Sequence, residues 1–245
     1  MFGPRIVIGK RSKDEGEKPF WISFADLMSA LMVLFLLVMS VALLAVTKTV
    51  SEADRKKVER MQEIEQLLFK IEEATRRDPE FTGITIDRDR KVIEFGDKAQ
   101  FKEVGSSELN FDQVKLLRNF VAKVVLNFAS DDLGKKWFKQ IVVEGFTDRQ
   151  GDYLSNLNLS LDRSQRVLCV LLAPIHGLPT ILSDKQLQQV RDLFFVGGYS
   201  FNDSKTTAAE SRRIELRLEF FEVDEVRTKI EEMPSGNFGV CKIKK

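Results

Sequence analysis

Residues 141 to 163 read Ile-Val-Val-Glu-Gly-Phe-Thr-Asp-Arg-Gln-Gly-Asp-Tyr-Leu-Ser-Asn-Leu-Asn-Leu-Ser-Leu-Asp-Arg. The opening Ile141 to Glu144 is a short β-rich run and predicts a strand. Gly145 and Gly151, with Thr147 and Asp148 between them, predict a polar loop. Apolar residues then recur at helical spacing from Leu159 to Leu172 and predict a helix. An acid, Asp148, and a base, Arg163, therefore stand on either side of a strand-to-helix junction. Such a pair can hold an amino-acid zwitterion, Asp148 taking the ammonium and Arg163 the carboxylate through a forked pair of hydrogen bonds. Thr147 and Asn156 can add neutral hydrogen bonds, and Arg213 can hold a further carboxylate or support the pocket. The alternative is purely structural: Asp148 caps the following turn and Arg163 pairs with it internally.

Working outward, Ile84 to Ile86 and Val92 to Phe95 flank a charged turn and suggest a hairpin. Phe111 to Phe128 carries Val114, Leu117, Phe120, Val121, Val124 and Val125 at helical spacing. Leu187 to Leu193 reads as a further helix, Phe194 to Val196 as a strand, and Ile214 to Glu222 alternates apolar and charged residues. This order implies an α+β sandwich over residues 81–225, with helices on one face of a mixed sheet. The tail at 226–245, with Pro234, Gly236 and Gly239, reads as irregular.

The N-terminal part has a different character. Residues 1–19 mix charge with Gly and Pro and read as a short unstructured tail. From Ile22 to Val46 the only charge is Asp26. A run of this length spans a hydrocarbon core of roughly 30 Å at about 1.5 Å per residue, which predicts a single transmembrane helix over 20–47. A cleaved signal peptide is the competing reading, disfavoured by an apolar run well beyond the roughly 7 to 15 residues of a signal core. Residues 48–80 predict a helical linker: Ser51 and Asp54 suggest a cap, Val58, Met61, Ile64, Leu68 and Ile71 form a narrow stripe, and Pro79 stops it. The stripe fits pairing with its own copy or lying against the domain, and a solvated spacer is the remaining alternative.

A charged carboxylate inside a membrane is unfavourable by about 2.5 to 3.5 kcal/mol at the centre on insertion scales. An apolar setting favours the neutral form of an acid, so such a group can bind and release a proton. The other reading places Asp26 at the interface as an N-terminal acid favoured by the helix dipole. Lysines and arginines flank the span on both sides, so charge alone does not orient it.

Acids and bases nearly cancel, 37 against 38, which gives no support to direct nucleic-acid binding. No Cys/His cluster suggests a metal site, no nucleophile with a base suggests an enzyme, and no cofactor is expected. Lone His176 reads as a loop residue. Cys169 and Cys241 permit one disulfide in an oxidising compartment, and a pair of free thiols is equally compatible with the sequence.

Gly145-Phe146-Thr147-Asp148, then Gly151, Asn156, Leu159-Ser160 and Arg163, resembles the signature of the OmpA-like peptidoglycan-binding domain. Ser211-Arg212-Arg213-Ile214-Glu215 resembles that family's Asn-Arg-Arg-Val-Glu patch. The resemblance covers roughly residues 83 to 225 and implies that Asp148 and Arg163 hold the diaminopimelate of the peptide stem. Phe146 stands where the family commonly has His, and Ser211 where it has Asn. Peptidoglycan lies outside the bacterial inner membrane, so the resemblance implies a periplasmic domain and a cytoplasmic N-terminus.

Lys18-Pro19-Phe20-Trp21-Ile22-Ser23-Phe24-Ala25-Asp26-Leu27-Met28-Ser29-Ala30 resembles the membrane segment of MotB-type stator subunits, and within them the ZorB family of the Zorya anti-phage defence system. The resemblance implies that Asp26 binds the travelling proton, with Trp21 as the interfacial aromatic and Ser29 on the proton path. It further implies a homodimer inside a ZorA-like pentameric membrane subunit, with the proton as coupling ion. A flagellar MotB and a passive envelope tether are the alternatives.

Overall fold

The computed structural model describes residues 18–173, 182–227 and 238, with side chains from Trp21 onward. The chain divides into two compact units, Met1–Lys56 and Lys57–Lys245.

Helix α1 runs from Lys18 to Arg77 without interruption. Its apolar part is the one described helix long and apolar enough to cross a membrane. No new helix begins at Ser51: with helical residues on both sides there is no free N–H for a cap to satisfy. Asp78 and Pro79 end the helix, the Asp78 carboxylate accepting the Glu80 N–H of a short 3-10 turn over Pro79–Phe81.

Within the second unit, only the later part of the predicted stripe lies against the domain, while Val58 and Met61 at its start are exposed. Ile64, Leu67, Leu68 and Ile71, spaced three and four apart, are each at most 4% exposed and belong to the core. A segment read as a linker thus contributes one wall of the sandwich.

The remaining elements keep the expected order, with two short helices added that the sequence pattern does not predict, over Asp132–Trp137 and Ala208–Ser211. Strands β1 (Thr85–Asp87) and β2 (Val92–Glu94) form the hairpin. Next come α2 (Phe111–Phe120), a π turn over Val121–Val125 and α3 (Leu126–Ala129), then α4 (Asp132–Trp137) and β3 (Phe138–Gly145). Helix α5 (Tyr153–Leu172), α6 (Asp184–Leu193), β4 (Phe194–Gly198), α7 (Ala208–Ser211) and β5 (Ile214–Phe220) complete the domain. Helix α5 starts six residues earlier than its apolar spacing predicts, because Asp152 caps it by accepting the Ser155 N–H at 2.8 Å.

The sheet order is β1-β2-β5-β3-β4, parallel only between β3 and β4. Ile214, Leu216 and Leu218 of β5 turn inward with Ile141 and Val143 of β3 onto the core under the helices. The alternate residues form a charged face, where Glu94, Glu215 and Glu144 stand side by side on three adjacent strands. Arginines neutralise this row: Arg217 forks onto Glu144 at 2.5 and 2.9 Å, and Arg213 and Arg90 reach Glu215 at 2.6 and 3.0 Å.

Candidate functional site

Strand β3 delivers the Gly145–Asp148 segment to the N-terminal end of α5. The approach is close enough to require glycine at 145, where a Cβ would fall 1.9 Å from the Ser160 carbonyl oxygen. Gly198, beside it on β4, would meet the Leu161 nitrogen and the Ser160 hydroxyl at 2.8 Å. The Thr147 N–H then donates to the Ser200 carbonyl, and the Ser200 N–H to Ser160 Oγ. Ser200 has a left-handed backbone (φ 53°), held there by these bonds and by its own hydroxyl, which donates to the Tyr153 carbonyl.

A cleft of about 180 Å³ opens at this junction, and Thr147, Asp148, Asn156 and Arg163 all line it, together with Val104 and Gly105. Four of the five residues singled out in the sequence for this domain therefore meet in one place. Asp148 and Arg163 do not bond each other directly. Arg163, fully buried, donates from Nη1 to the Phe146 carbonyl and from Nε to the Ser106 carbonyl, and lies over the Phe101 ring at 4.6 Å. Burial pushes its guanidinium down to about 10, against the favourable charge of Asp148. Asp148 accepts the Gln150 N–H at Oδ1 and pairs through Oδ2 with Arg212 at 2.8 Å. Asn156 donates its amide N–H groups to the carbonyls of Gln150 and Asp152.

Two buried side-chain atoms among the described residues have no hydrogen-bond partner: Thr147 Oγ1 and Arg163 Nη2. Both belong to residues lining this cleft. Leaving such groups unpaired is unfavourable by about 1 to 3 kcal/mol, more when charged, so two unpaired polar atoms on residues of one cleft call for an explanation.

Arg213 is not part of the cleft. It binds Asp203 at 2.8 Å and Glu215 at 2.6 Å and stacks 4.1 Å over Phe146, so it serves the charged face of the sheet. Arg213 lies between α7 and β5, and the path of the chain there turns it to the side of the sheet that carries Glu215. The arginine sequence reasoning missed is Arg212. The doubled Arg212-Arg213 motif carried the signal, but not which member faces the loop.

On α1, Asp26 and Ser29 are three residues apart and so share a face. The Ser29 hydroxyl donates back to the Ala25 carbonyl at 2.8 Å. Asp26 is the only ionisable residue from Trp21 to Thr47. Cys169 lies half-buried on α5. Its suggested partner Cys241, and likewise His176, fall outside the described residues.

The Zorya protein ZorB of Escherichia coli O139:H28 (strain E24377A / ETEC) is 43% identical over 246 residues, covering 99% of this chain and 98% of the relative. The chain belongs to the ZorB family. No family model matches it. Among solved structures, this ZorB-family chain is similar to the periplasmic domain of Helicobacter pylori MotB, with 20% identity, TM-score 0.37 and coverage of 54% of this chain and 75% of that one. It is also similar to the cell wall anchor of the T6SS from Pseudomonas aeruginosa, with 19% identity, TM-score 0.37 and coverage of 57% and 89%. The OmpA-like domain of FopA1 from Francisella tularensis subsp. tularensis SCHU S4 gives 14% identity, TM-score 0.33 and coverage of 57% and 82%.

Proposed function

We propose that this protein is a proton-driven stator subunit anchored to peptidoglycan, acting with a ZorA-like pentameric membrane partner in anti-phage defence. Its apolar helix crosses the inner membrane with the N-terminus in the cytoplasm, and the second unit is periplasmic. Two copies supply two membrane helices to the centre of the partner ring. There Asp26 takes up and releases protons, with Ser29 and Trp21 along the path, and the role is mechanical rather than enzymatic.

The observation that carries this reading is the presence in one chain of a lone carboxylate in an apolar span and a cleft with two unsatisfied polar atoms. A motor part must be held against something, and a tether needs no acid in its membrane helix. In the cleft, the carboxylate of a diaminopimelate stem satisfies Arg163 Nη2 and Thr147 Oγ1, while Asp148 accepts its ammonium. The test of anchoring is retention of the detergent-purified full chain on purified sacculi. Asp148→Ala should reduce retention strongly; it also leaves the largely buried Arg212 without its counter-charge, at a cost of about 3 to 5 kcal/mol, so thermal melting is used to select conditions in which the variant is folded. Unchanged retention by that folded variant contradicts the assignment.

A further inference from the structure

We infer that Arg212 is a positioning residue of the cleft: it orients Asp148 for the ligand's ammonium. The inference rests on the reading of the cleft as a stem-peptide site, and it concerns a residue that reaches the site only through another.

Arg212 caps the C-terminal end of α7, two residues before β5 begins, and is largely buried, with 13% of its side chain exposed. It does not line the cleft. Its Nη1 holds Asp148 Oδ2 at 2.8 Å, and its Nε donates to the Phe101 carbonyl at 3.0 Å, with a longer 3.5 Å contact from Nη2 to the Lys102 carbonyl. Phe101 returns the bond, its N–H donating to the Arg212 carbonyl at 2.8 Å. One rigid guanidinium fork therefore joins the acid of the cleft to the start of the segment that carries Val104 and Gly105.

The other end of that segment is held by Arg163, whose Nε donates to the Ser106 carbonyl. Two buried arginines thus clamp residues 101–106 at both ends, and each also serves the polar floor of the cleft. With Oδ1 held by the Gln150 N–H and Oδ2 by Arg212, the plane of the Asp148 carboxylate is fixed and one acceptor site on each oxygen remains. Pre-orientation of this kind is what a binding group gains from its supporting partner. Arg213, one residue on, makes none of these bonds.

A double-mutant cycle on the full chain in detergent tests this, with a synthetic stem peptide containing diaminopimelate as the probe. A second peptide replaces the side-chain ammonium of that residue by hydrogen. Arg212→Gln should weaken binding of the first peptide about tenfold, the lower end of the loss seen when a supporting partner is removed. Asp148→Asn should do the same, and the double variant should lose no more than either single one. On the peptide without the ammonium, Arg212→Gln should bind as the unaltered chain does, which a general loosening of the fold would not produce. If Arg212→Gln fails to fold, the same cycle is run with Arg212→Lys, which keeps the charge and loses the fork, and non-multiplying losses again support the inference. Wild-type binding by Arg212→Gln, losses that multiply, or equal losses on both peptides overturn it. Asp148→Asn without effect on its own would instead overturn the stem-peptide reading of the cleft.

Discussion

Trp137 donates its indole N–H to the Glu63 carboxylate across 2.6 Å, and Lys136 reaches the same oxygen at 2.5 Å. This junction ties the end of α1 to α4. The hydrogen bond from Lys136 is the main cause holding the Glu63 carboxyl below its ordinary value, assisted by Trp137 and opposed by burial. A depressed carboxylate stabilises the fold above its unfolded value near 4.5, and that contribution is lost as pH falls through the lower native value. Glu63→Gln should therefore cost about 1 kcal/mol near neutral pH, and the difference from wild type should vanish in acid. Urea unfolding followed by Trp137 fluorescence checks this in a Trp21→Phe background, since the chain has only two tryptophans.

The same docking predicts where the domain can be cut. A fragment starting at Thr82 lacks Ile64, Leu67, Leu68 and Ile71, all core residues. It should be far less stable than one starting at Lys57, and in the longer fragment Leu67→Ala should cost about 2 to 5 kcal/mol. Thermal unfolding of the two fragments is the measurement, and equal melting temperatures would contradict the core assignment.

Much of this domain was legible in sequence because its elements are amphipathic and their periods differ. The β5 alternation and the Phe111 to Phe128 stripe each announce their element, although spacing gave no sign of the π turn at Val121–Val125. The cleft was legible through Gly145, Thr147, Asp148 and Arg163, and Gly145 now has its reason in the Ser160 carbonyl it faces. Two things were not legible. A narrow apolar stripe on α1 is the same pattern whether it meets its own copy or its own domain, since periodicity names a buried face and not its partner. Arg212 and Arg213 are adjacent cations, and only the path of the chain between α7 and β5 shows which turns to Asp148 and which to Asp203.

Gly145→Ala should be severely destabilising, beyond the ordinary 1 to 3 kcal/mol or so of an overpacked core, because the new carbon would meet backbone rather than a movable side chain. Circular dichroism of the purified domain would show it, and a melting temperature within a few degrees of wild type would contradict the close approach of β3 to α5.

Thr147→Val separates binding from folding. The hydroxyl has no partner, so replacing it with a methyl group of similar volume should leave stability unchanged or slightly raised. Sacculus retention should nevertheless fall, as a carboxylate acceptor loses one donor. A variant that is more stable and binds less tightly is the expected pair of outcomes.

Proton exchange at Asp26 is proposed as the drive of the machine, and Asp26→Asn tests it most directly. The amide nearly preserves shape and hydrogen bonding but cannot take or release a proton near neutral pH. Each proton crossing the membrane potential supplies about 2.3 kcal/mol per 100 mV, several times thermal energy. The measurement is phage protection by cells expressing the variant with its operon partners, alongside co-purification of the complex. Loss of protection by an assembled Asp26→Asn complex, with partial activity in Asp26→Glu, is the predicted result. Full protection by an assembled Asp26→Asn complex would contradict the motor and leave a passive tether.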